Sequence, residues 1–390
     1  MKVLVLARGC PNAQDPIYGN FEYEQALTLS AIGVDIIFSF IDRRSRTSYQ
    51  RKRGLMKHEG HPFPVYGGYL WPVFPFKYLP KLATYLYIKR YLKLCKHIIK
   101  KEGKPDLIHC HFLFNLPLAV AVGNRYGIPV IETEHWSDLK KQKMPFYIAH
   151  LSKYYSKVHT VIAVSESLKN TLKQQFSVES ERIYNMVSNS YFELLPQKRS
   201  NVDCVEFISI GSLIFRKGFD LLIEALSGLE KESWHLRIIG EGARYEEYKN
   251  IIRKKKLEHR IDFCGKRDKN EIREMMQNSD VFVLASRAET FGVVYIEAMA
   301  CGLPVIATKC GGPEEFVTPE IGILIEKEDV VELKNALKWM IYHYKDYDKL
   351  LIQKKCYEQF SSNIIASNYL NVYRNIIRNT NKNRGALVAG

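Results

Sequence analysis

The sequence of 390 residues predicts an α/β protein with two doubly wound domains, each an open parallel sheet covered by helices on both faces. Short apolar runs alternate with longer amphipathic segments along most of the chain, which is typical of parallel sheets connected by helices. The chain is also too long for one ordinary core, since domains usually hold about 100–150 residues. We therefore expect two domains that face a central cleft, with ligands at the carboxyl ends of the strands.

The first half of the chain begins with an apolar run and continues as alternating strands and helices. The opening run holds five apolar residues, fewer than a secretory leader needs, so we interpret it as the first strand. No run approaches the roughly 18 apolar residues of a membrane span. Strands are predicted at 3–7, 35–40, 107–111, 129–133 and 160–163, and a helix at 22–31.

The second half repeats this alternation after a polar stretch. Residues 189–203, NSYFELLPQKRSNVD, hold a proline and many polar residues, which is typical of an interdomain linker. We therefore predict an N-terminal domain at 1–188 and a C-terminal domain at 204–360, with a helix at 364–380 that packs back on the first domain. Strands are predicted at 205–210, 235–239, 261–264, 281–285 and 304–308, and helices at 218–229, 245–255, 269–277, 293–300 and 331–344.

The spacing of the cysteines argues against a disulfide framework or a zinc site. The eight cysteines include no Cys-x-x-Cys pair, and most of them stand in apolar stretches. This pattern is typical of buried, reduced thiols in a cytosolic protein. We therefore expect no bound metal and a cytoplasmic location.

Positive charge is concentrated in one stretch of the chain. Residues 43–101 hold 15 Lys and Arg against one acid, a local net charge of +14 in a chain whose total is +15. Such a stripe indicates an anionic partner. Its second half interleaves aromatic residues with Lys and Arg, and reads as a loop followed by an amphipathic helix. We expect this helix to lie on an anionic membrane surface and not on nucleic acid; a solvated helix face is the alternative.

Two glutamates stand eight residues apart in the string RAETFGVVYIEAMACGLPVIAT, which begins at Arg287. The flanking pattern predicts a strand and then a helix, so Glu289 lies in the loop between them and Glu297 in the helix. Gly292 stands at the helix start, where free backbone N–H groups bind anions. Carboxylates on both sides of an anion site suit a nucleotide diphosphate sugar, because they accept hydrogen bonds from hydroxyls. The alternative is that Glu289 is only a neighbour of the helix cap and that Glu297 is a solvated helix position.

This string resembles the E-x7-E motif of the retaining glycosyltransferases of family 4, which have the GT-B fold of two Rossmann-like domains. The following GLPVIATKCGGPEEFV continues the resemblance. The resemblance implies that Glu297 binds the ribose hydroxyls and that Glu289 binds the donor sugar beside its anomeric carbon. It also assigns the residues between them to the donor site, namely Thr290, Phe291, Gly292 and Val293.

Two cations, Arg216 and Lys217, precede Gly218 at the start of a predicted helix in ISIGSLIFRKGFDLLIEAL. Cations at a helix N-terminus oppose the helix dipole unless an anion is present, so their position favours a bound phosphate. A solvated Arg-Lys pair is the alternative. The segment resembles the G-x5-K-G element of the family, which implies that Gly211, Arg216 and Lys217 hold the leaving diphosphate.

Glycines mark three further turns. The segments IIGEGARYEEY and IDFCGKRDKNEI resemble those that frame the nucleotide base, which implies contacts from Gly240, Gly265 and Lys266. Ordinary strand-to-helix turns are the alternative. Family members often have two or more glycines in the first loop, where this chain has Gly19 alone. We expect Gly19 and the helix start after it to lie at the donor phosphate.

Histidines mark the first domain. His109 and His111 in PDLIHCHF lie on the same side of a strand, because side chains repeat every two residues. Without a third ligand they do not make a metal site, and core histidines are the common alternative. The segment resembles the family's H-x-H element, which implies that His111 faces the sugar and the acceptor. The next segment, VIETEHWSD, resembles a T-x-H element and implies that Glu134 and His135 lie on the acceptor side.

The resemblance as a whole implies retaining transfer from a UDP- or GDP-sugar to an acceptor hydroxyl. The implied catalytic residues are Glu289, His111, Arg216 and Lys217. We expect no cofactor, because the cations and the helix start stabilise the leaving diphosphate. We expect a lipid-linked glycan acceptor of bacterial capsule or O-antigen synthesis, and a peripheral location at the inner face of the membrane. The alternatives are a sugar-nucleotide epimerase on the same fold and a non-catalytic nucleotide- or RNA-binding protein.

Overall fold

The chain folds into two compact α/β units. The computed structural model describes residues 1–12, 18–42, 54–69, 79–136, 139, 146–193 and 204–388. The first unit comprises Met1–Tyr184 and Ile365–Gly390, and the second comprises Asn185–Ile364. Much of the basic stretch (43–53 and 70–78) and most of the predicted linker (194–203) lie outside the described residues.

The first unit is built on a sheet of eight described strands. They are β1 (Lys2–Ala7), β2 (Asp35–Asp42), β3 (Gly54–His58), β4 (Val65–Tyr69), β5 (Leu107–His111), β6 (Val130–Glu134), β7 (Thr160–Ala163) and β8 (Glu181–Arg182). Their order across the sheet is β3-β4-β2-β1-β5-β6-β7-β8. All neighbours are parallel except β3 and β4. The central strands are buried almost throughout, as expected for a sheet covered on both faces.

Five helices connect these strands. They are α1 (Asn20–Ala31), α2 (Pro80–Glu102), α3 (Leu116–Tyr126), α4 (Phe146–Ser152) and α5 (Glu166–Phe176). Helix α2 starts with Pro80 in its first turn and ends before Gly103, the order that proline and glycine favour at helix ends. Its buried face repeats every three to four residues and includes Tyr87, Tyr91 and Leu94. The exposed lysines of α2 therefore stand on the opposite face.

The second unit is built on a sheet of six described strands, all parallel. They are β9 (Val205–Ile210), β10 (Trp234–Ile239), β11 (Ile261–Gly265), β12 (Val281–Leu284), β13 (Val305–Thr308) and β14 (Gly322–Ile325). Their order is β11-β10-β9-β12-β13-β14. Numbered within the unit this is 3-2-1-4-5-6, the Rossmann order, which reverses between β9 and β12.

Helices flank this sheet, and one more returns to the first unit. They are α6 (Phe219–Ser227), α7 (Tyr245–Lys254), α8 (Lys269–Gln277), α9 (Val293–Ala300), α10 (Val330–His343) and α11 (Lys349–Phe360). A capping box of Asp268 and Glu271 starts α8. The last helix, α12 (Ser362–Val388), begins in the second unit and belongs to the first from Ile365 onward.

The strand order of each sheet sets where loops from distant parts of the sequence meet. In the first sheet the order reverses between β1 and β5, and in the second between β9 and β12. The loops after such strands leave in opposite directions and open a crevice at their carboxyl ends. The confirmed α/β fold therefore brings the segment after β1 to that after β5, and the segment after β9 to that after β12.

The boundary between the units differs slightly from the expected one. The N-terminal segment of the first unit ends at Tyr184, and residues 189–193 belong to the second unit. Arg273 donates to the Ser190 carbonyl oxygen at 2.7 Å, and Gln277 donates to that of Glu193 at 2.7 Å. The start of the predicted linker is therefore held by α8.

Candidate functional site

The first group of candidate residues lies where β9 ends in the second unit. A single 3₁₀ turn, Phe215–Lys217, carries Arg216 and Lys217 up to Gly218, which caps α6 with φ of 68°. A side chain at Gly218 is excluded, because a Cβ atom there would stand 1.8 Å from the carbonyl oxygen of Ala285. The loop after β9 therefore packs backbone to backbone on the loop after β12.

That packing brings both cations to Glu289. Lys217 donates from Nζ to Glu289 Oε1 at 2.5 Å, and Arg216 Nη1 lies 3.4 Å from Oε2. Ser286 also donates to Oε1, at 2.7 Å. Burial alone raises the pKa of Glu289, but the charges of the two cations outweigh it and hold that pKa below its ordinary value. Glu289 is therefore an ionised carboxylate in a cluster of net charge +1.

Arg287 fastens the two loops of this cluster together. Its guanidinium forms a double ion pair with Asp220, at 2.9 and 2.7 Å, and donates to the carbonyl oxygen of Phe215 at 2.7 Å. It also lies 3.8 Å from the centre of the Phe215 ring. The sequence analysis missed Arg287, although it stands two residues before Glu289. Its contacts support the turn that carries Arg216 and Lys217.

The E-x7-E segment forms the loop and helix that its pattern predicts. Gly292 caps α9 with φ of 95°, and Glu297 lies half-buried in the second turn of that helix. Phe291 is buried, with its ring 5.3 Å from that of Phe316. Its side chain therefore faces the core, so only its backbone is placed to meet a ligand. Thr290 is also buried, and Val293 is half-buried at the helix start.

The other predicted donor glycines have distinct surroundings. Gly240 has φ of 142°, and a Cβ atom there would stand 2.0 Å from the carbonyl oxygen of Gly211, so these two turns pack tightly. Gly265 accepts a hydrogen bond from the N–H of Gly240 at 2.9 Å, and a Cβ atom on it would meet nothing within 4 Å. Lys266, next to it, is exposed. Gly240 thus has a packing role that Gly265 lacks.

The first unit has its own polar group at the ends of β5 and β6. His111 Nδ1 lies 3.2 Å from His135 Nε2, with the two rings stacked. His109 bonds Tyr373 at Nδ1, 2.6 Å, and Thr133 at Nε2, 2.8 Å. Burial and the neighbouring cationic groups push the pKa of His111 well below its usual value. His111 is therefore a neutral imidazole.

An ion pair between β1 and α1 borders these histidines. Arg8 donates from Nε to Glu22 Oε1 at 2.8 Å and from Nη2 to Oε2 at 3.2 Å. The guanidinium also covers the ring of Phe112 at 4.2 Å. Neither residue was among the predicted site residues; the signal was a cation directly after the first apolar run and an acid in the first turn of the next helix. Gly19 caps α1, where a Cβ atom would stand 2.2 Å from the carbonyl oxygen of Gly9.

Glu134 is placed differently from its predicted position. Its carboxylate is fully buried, and it accepts hydrogen bonds from the backbone N–H groups of Leu113, His135 and Trp136 at 2.9–3.0 Å. Tyr155 donates a fourth, at 2.7 Å. We had expected Glu134 to face an acceptor. It instead holds together the loops that carry His111 and His135, because all four donors belong to the chain itself.

The described part of the chain lacks two further features. No group of three His, Cys, Asp or Glu side chains there is arranged to hold a metal ion. No helix there has an apolar stretch long enough to cross a bilayer.

Comparison with known proteins shows to which family the chain belongs. Residues 192–355 match the family described as Glycosyl transferases group 1, and residues 36–189 match the one described as Glycosyltransferase Family 4. An uncharacterized glycosyltransferase of Methanocaldococcus jannaschii is 32% identical over 267 residues, which cover 68% of this chain and 73% of that protein. This chain belongs to glycosyltransferase family 4. The E-x7-E and G-x5-K-G elements of this glycosyltransferase both lie within the residues that match Glycosyl transferases group 1.

One further relative and two solved structures are similar to this chain. The N-acetyl-α-D-glucosaminyl L-malate synthase of Bacillus anthracis is 26% identical over 293 residues, or 70% of this glycosyltransferase and 75% of the synthase. The sucrose-phosphate synthase of Thermosynechococcus elongatus has a similar structure, with a TM-score of 0.78 and 19% identity over 97% of this chain and 99% of that one. The structure of Anabaena HepE in complex with UDP and glucose has a TM-score of 0.73 and 20% identity, over 95% of this chain and 99% of that one. The fold is therefore GT-B.

Proposed function

We propose that this enzyme transfers a sugar from a nucleoside-diphosphate sugar to an acceptor hydroxyl with retention of configuration. The observation that carries the proposal is the cluster of Glu289, Lys217 and Arg216 at the strand-order reversal of the second unit. One buried carboxylate holds two cations beside the first turn of α9. A diphosphate suits such a place, because it competes for the cations and accepts from the free N–H groups after Gly292.

The cations stabilise the leaving group. As the bond between the anomeric carbon and the phosphate oxygen breaks, negative charge grows on the diphosphate. Lys217 and Arg216 are held in place before the reaction, so their charges stabilise that growth without reorganisation. In this proposal the two side chains and the helix start supply the positive charge, and no divalent metal is needed.

The configuration is retained because the acceptor oxygen attacks the anomeric carbon on the same face from which the leaving group departs. The acceptor oxygen forms the new bond to the anomeric carbon on that face, and the acceptor proton passes to the departing phosphate oxygen. Glu289 is ionised and is held in place by three side-chain donors. Its charge stabilises positive charge on the sugar ring. When the diphosphate draws Lys217 away, the carboxylate is ready to bind a hydroxyl. It forms no covalent intermediate with the sugar in this scheme.

We propose a UDP- or GDP-sugar as donor, and the similar proteins support UDP. HepE is described in complex with UDP and glucose, and the Bacillus anthracis relative is named for an N-acetylglucosaminyl product. We test the donor by a thermal-shift screen of UDP-, GDP- and ADP-sugars, followed by NMR of the product's anomeric configuration. A stabilising donor that is turned over with retention supports the proposal. An inverted product contradicts the retaining step, and stabilisation by no donor contradicts the donor site.

We further propose that α2 rests on an anionic membrane and presents the enzyme to a lipid-linked glycan of bacterial surface polysaccharide synthesis. Four lysines line one exposed face, Lys89, Lys93, Lys96 and Lys100. At its start Leu79, Leu82 and Tyr85 are 47%, 42% and 52% exposed. Apolar side chains at one end and a row of cations behind them suit the interface of an anionic bilayer.

Vesicle co-sedimentation tests the membrane contact. We expect the enzyme to pellet with vesicles that contain phosphatidylglycerol and not with phosphatidylcholine alone. Lys89→Glu with Lys93→Glu should release it, whereas the same reversals at Lys249 and Lys254, exposed on α7, should not. If both pairs of reversals weakened vesicle binding equally, binding would depend on the net charge of the protein alone, which would contradict the assignment to α2.

A further inference from the structure

The histidine pair of the first unit shares a single proton position. His111 Nδ1 and His135 Nε2 are 3.2 Å apart in nearly parallel rings. A hydrogen bond between two ring nitrogens needs one N–H and one lone pair, so only one of them carries the proton between the rings. The direction of that bond decides what His111 offers at its other nitrogen, Nε2.

The two arrangements have opposite chemistry. If His111 Nδ1 donates, its Nε2 carries a lone pair and accepts a hydrogen bond. If His135 Nε2 donates, His111 keeps its own proton on Nε2 and offers an N–H to an oxygen atom. His135 therefore sets whether His111 binds a ligand as an acceptor or as a donor.

The surroundings favour a proton on His135. His111 is 1% exposed, and its ring is 4.2 Å from that of His109, so a charge on His111 is costly. His135 is only half-buried. The buried carboxylate of Glu22 on α1 is electrostatically coupled to His135 and attracts positive charge there.

The other charged groups of this cluster do not compete for that role. Arg8, at the end of β1, is ion-paired with Glu22 through two of its nitrogens. His109 is bonded at both ring nitrogens, by Tyr373 of α12 and Thr133 of β6. Among the described residues, His135 is thus the partner that faces His111 with a proton to give.

We propose that His135 is a positioning residue that donates from Nε2 to His111 Nδ1, so that His111 presents its Nε2–H to an oxygen of the sugar or the acceptor. The tautomer itself is a property of the ligand-free enzyme. Its use in transfer rests on the proposed function, because that function brings the oxygen to His111. The two parts are therefore tested by separate measurements.

The tautomer is read by NMR of enzyme labelled with ¹⁵N-histidine, without ligand. We expect the His111 signals of an Nε2–H tautomer in the wild type and in His135→Gln, whose side-chain amide can still donate. His135→Ala should give a mixture of tautomers. His111 found with its proton on Nδ1 in the wild type would overturn the proposal, whatever the enzyme transfers.

Transfer kinetics test the consequence. His135→Ala should lower kcat by about 10- to 100-fold, as when the outer partner of a metal-bound histidine is removed, with UDP and GDP affinity unchanged. His135→Gln should recover most of that loss, because its amide still donates to His111. A purely structural role would give equal losses in the two variants.

His159→Gln is the matched control, because His159 is exposed in the same unit and lies at the start of β7, away from the pair. It should keep wild-type kinetics. If His135→Gln is as slow as His135→Ala although His111 keeps its tautomer, the proposed role in transfer is wrong. If the wild type transfers no sugar from any donor, the proposed function fails, and the NMR result alone decides the tautomer.

Discussion

Glu289 and Glu134 look alike in the sequence and differ in the structure. Each is a buried glutamate that accepts several hydrogen bonds, Glu134 at the end of β6 and Glu289 in the loop after β12. The donors of Glu289 are the side chains of Lys217, Arg216 and Ser286. Three of the four donors of Glu134 are backbone N–H groups. Side chains can turn to a ligand, whereas backbone groups of a folded loop cannot.

This difference separates a binding carboxylate from a structural one. A ligand that draws Lys217 away from Glu289 leaves an ionised carboxylate ready to accept from a hydroxyl. Removing the backbone donors from Glu134 would require the loops of the first unit to unfold. What a buried carboxylate does therefore depends on which kind of group surrounds it more than on how deep it lies.

The largest expected effect concerns the movable partners of Glu289. Lys217→Ala should lower kcat by about 100- to 1000-fold, about 3–4 kcal/mol, as when one oxyanion donor is removed. Arg216→Ala should cost less, because its nitrogen lies farther from Glu289 and its side chain is 37% exposed. Steady-state kinetics with the identified donor give both values. Lys231→Ala, an exposed lysine of the same unit, is the control; wild-type turnover in Lys217→Ala would contradict the phosphate role.

A crossed pair of isosteric changes sharpens the comparison. Glu134→Gln should lower the free energy of unfolding by about 1–3 kcal/mol, because its NH₂ group faces donors and leaves them unsatisfied. Glu289→Gln should cost less stability than Glu134→Gln, because its side-chain donors can turn to solvent or to each other's acceptors, and it should lower turnover. Urea unfolding and kinetics of both variants decide the matter. If Glu134→Gln is stable and inactive, the structural assignment of Glu134 is wrong.

A pair of glycines tests the backbone contact under the donor loop. Gly218 and Gly265 have nearly the same φ, 68° and 67°, so an alanine at either bears the same left-handed strain. Only at Gly218 would the new Cβ meet a backbone oxygen, that of Ala285. Gly218→Ala should therefore be less stable than Gly265→Ala by about 1–3 kcal/mol, the usual cost of overpacking. Equal melting temperatures would mean that the two loops separate freely.

The smallest effect is a change in pH dependence caused by Glu132, a further buried glutamate. Its two carboxyl oxygens have no hydrogen-bond partner among the described residues, and burial raises its pKa well above the usual value. The folded state then keeps a proton that the unfolded chain releases above about pH 4.3. Stability therefore falls as pH rises, by at most about 1.4 kcal/mol per pH unit. Glu132→Gln should flatten that slope in urea unfolding at pH 6, 7 and 8; an unchanged slope would contradict the raised pKa.

The sequence analysis predicted the central elements well because they carry strong patterns. The predicted bounds of β5, β7, β9, α8 and α9 are those of the structure, since long apolar runs or clear helical periodicity end there at turn residues. It did not predict β3, β4, β8 and β14. These are short, outer strands, and β4 contains two glycines, so their signal is weak.

The candidate site was predicted in part. E-x7-E and G-x5-K-G marked residues that the structure brings into contact, Glu289 with Lys217 and Arg216. Arg287 and the Arg8–Glu22 pair were missed, because their roles depend on partners 67 and 14 residues away in the chain. The opposite surroundings of Glu134 and Glu289 arise only when the loops are folded, so no local pattern separates them.

The return of α12 to the first unit has a consequence for biosynthesis. Tyr373 bonds His109 across 264 residues of chain. A ribosome makes the whole second unit before it makes Tyr373. Until then, His109 of the nascent first unit lacks one of its two hydrogen bonds. Translation must pass Tyr373 before the histidine cluster is whole. A chain cut after Phe360 would keep all the strands described here and still have a gap where Tyr369 and Tyr373 belong.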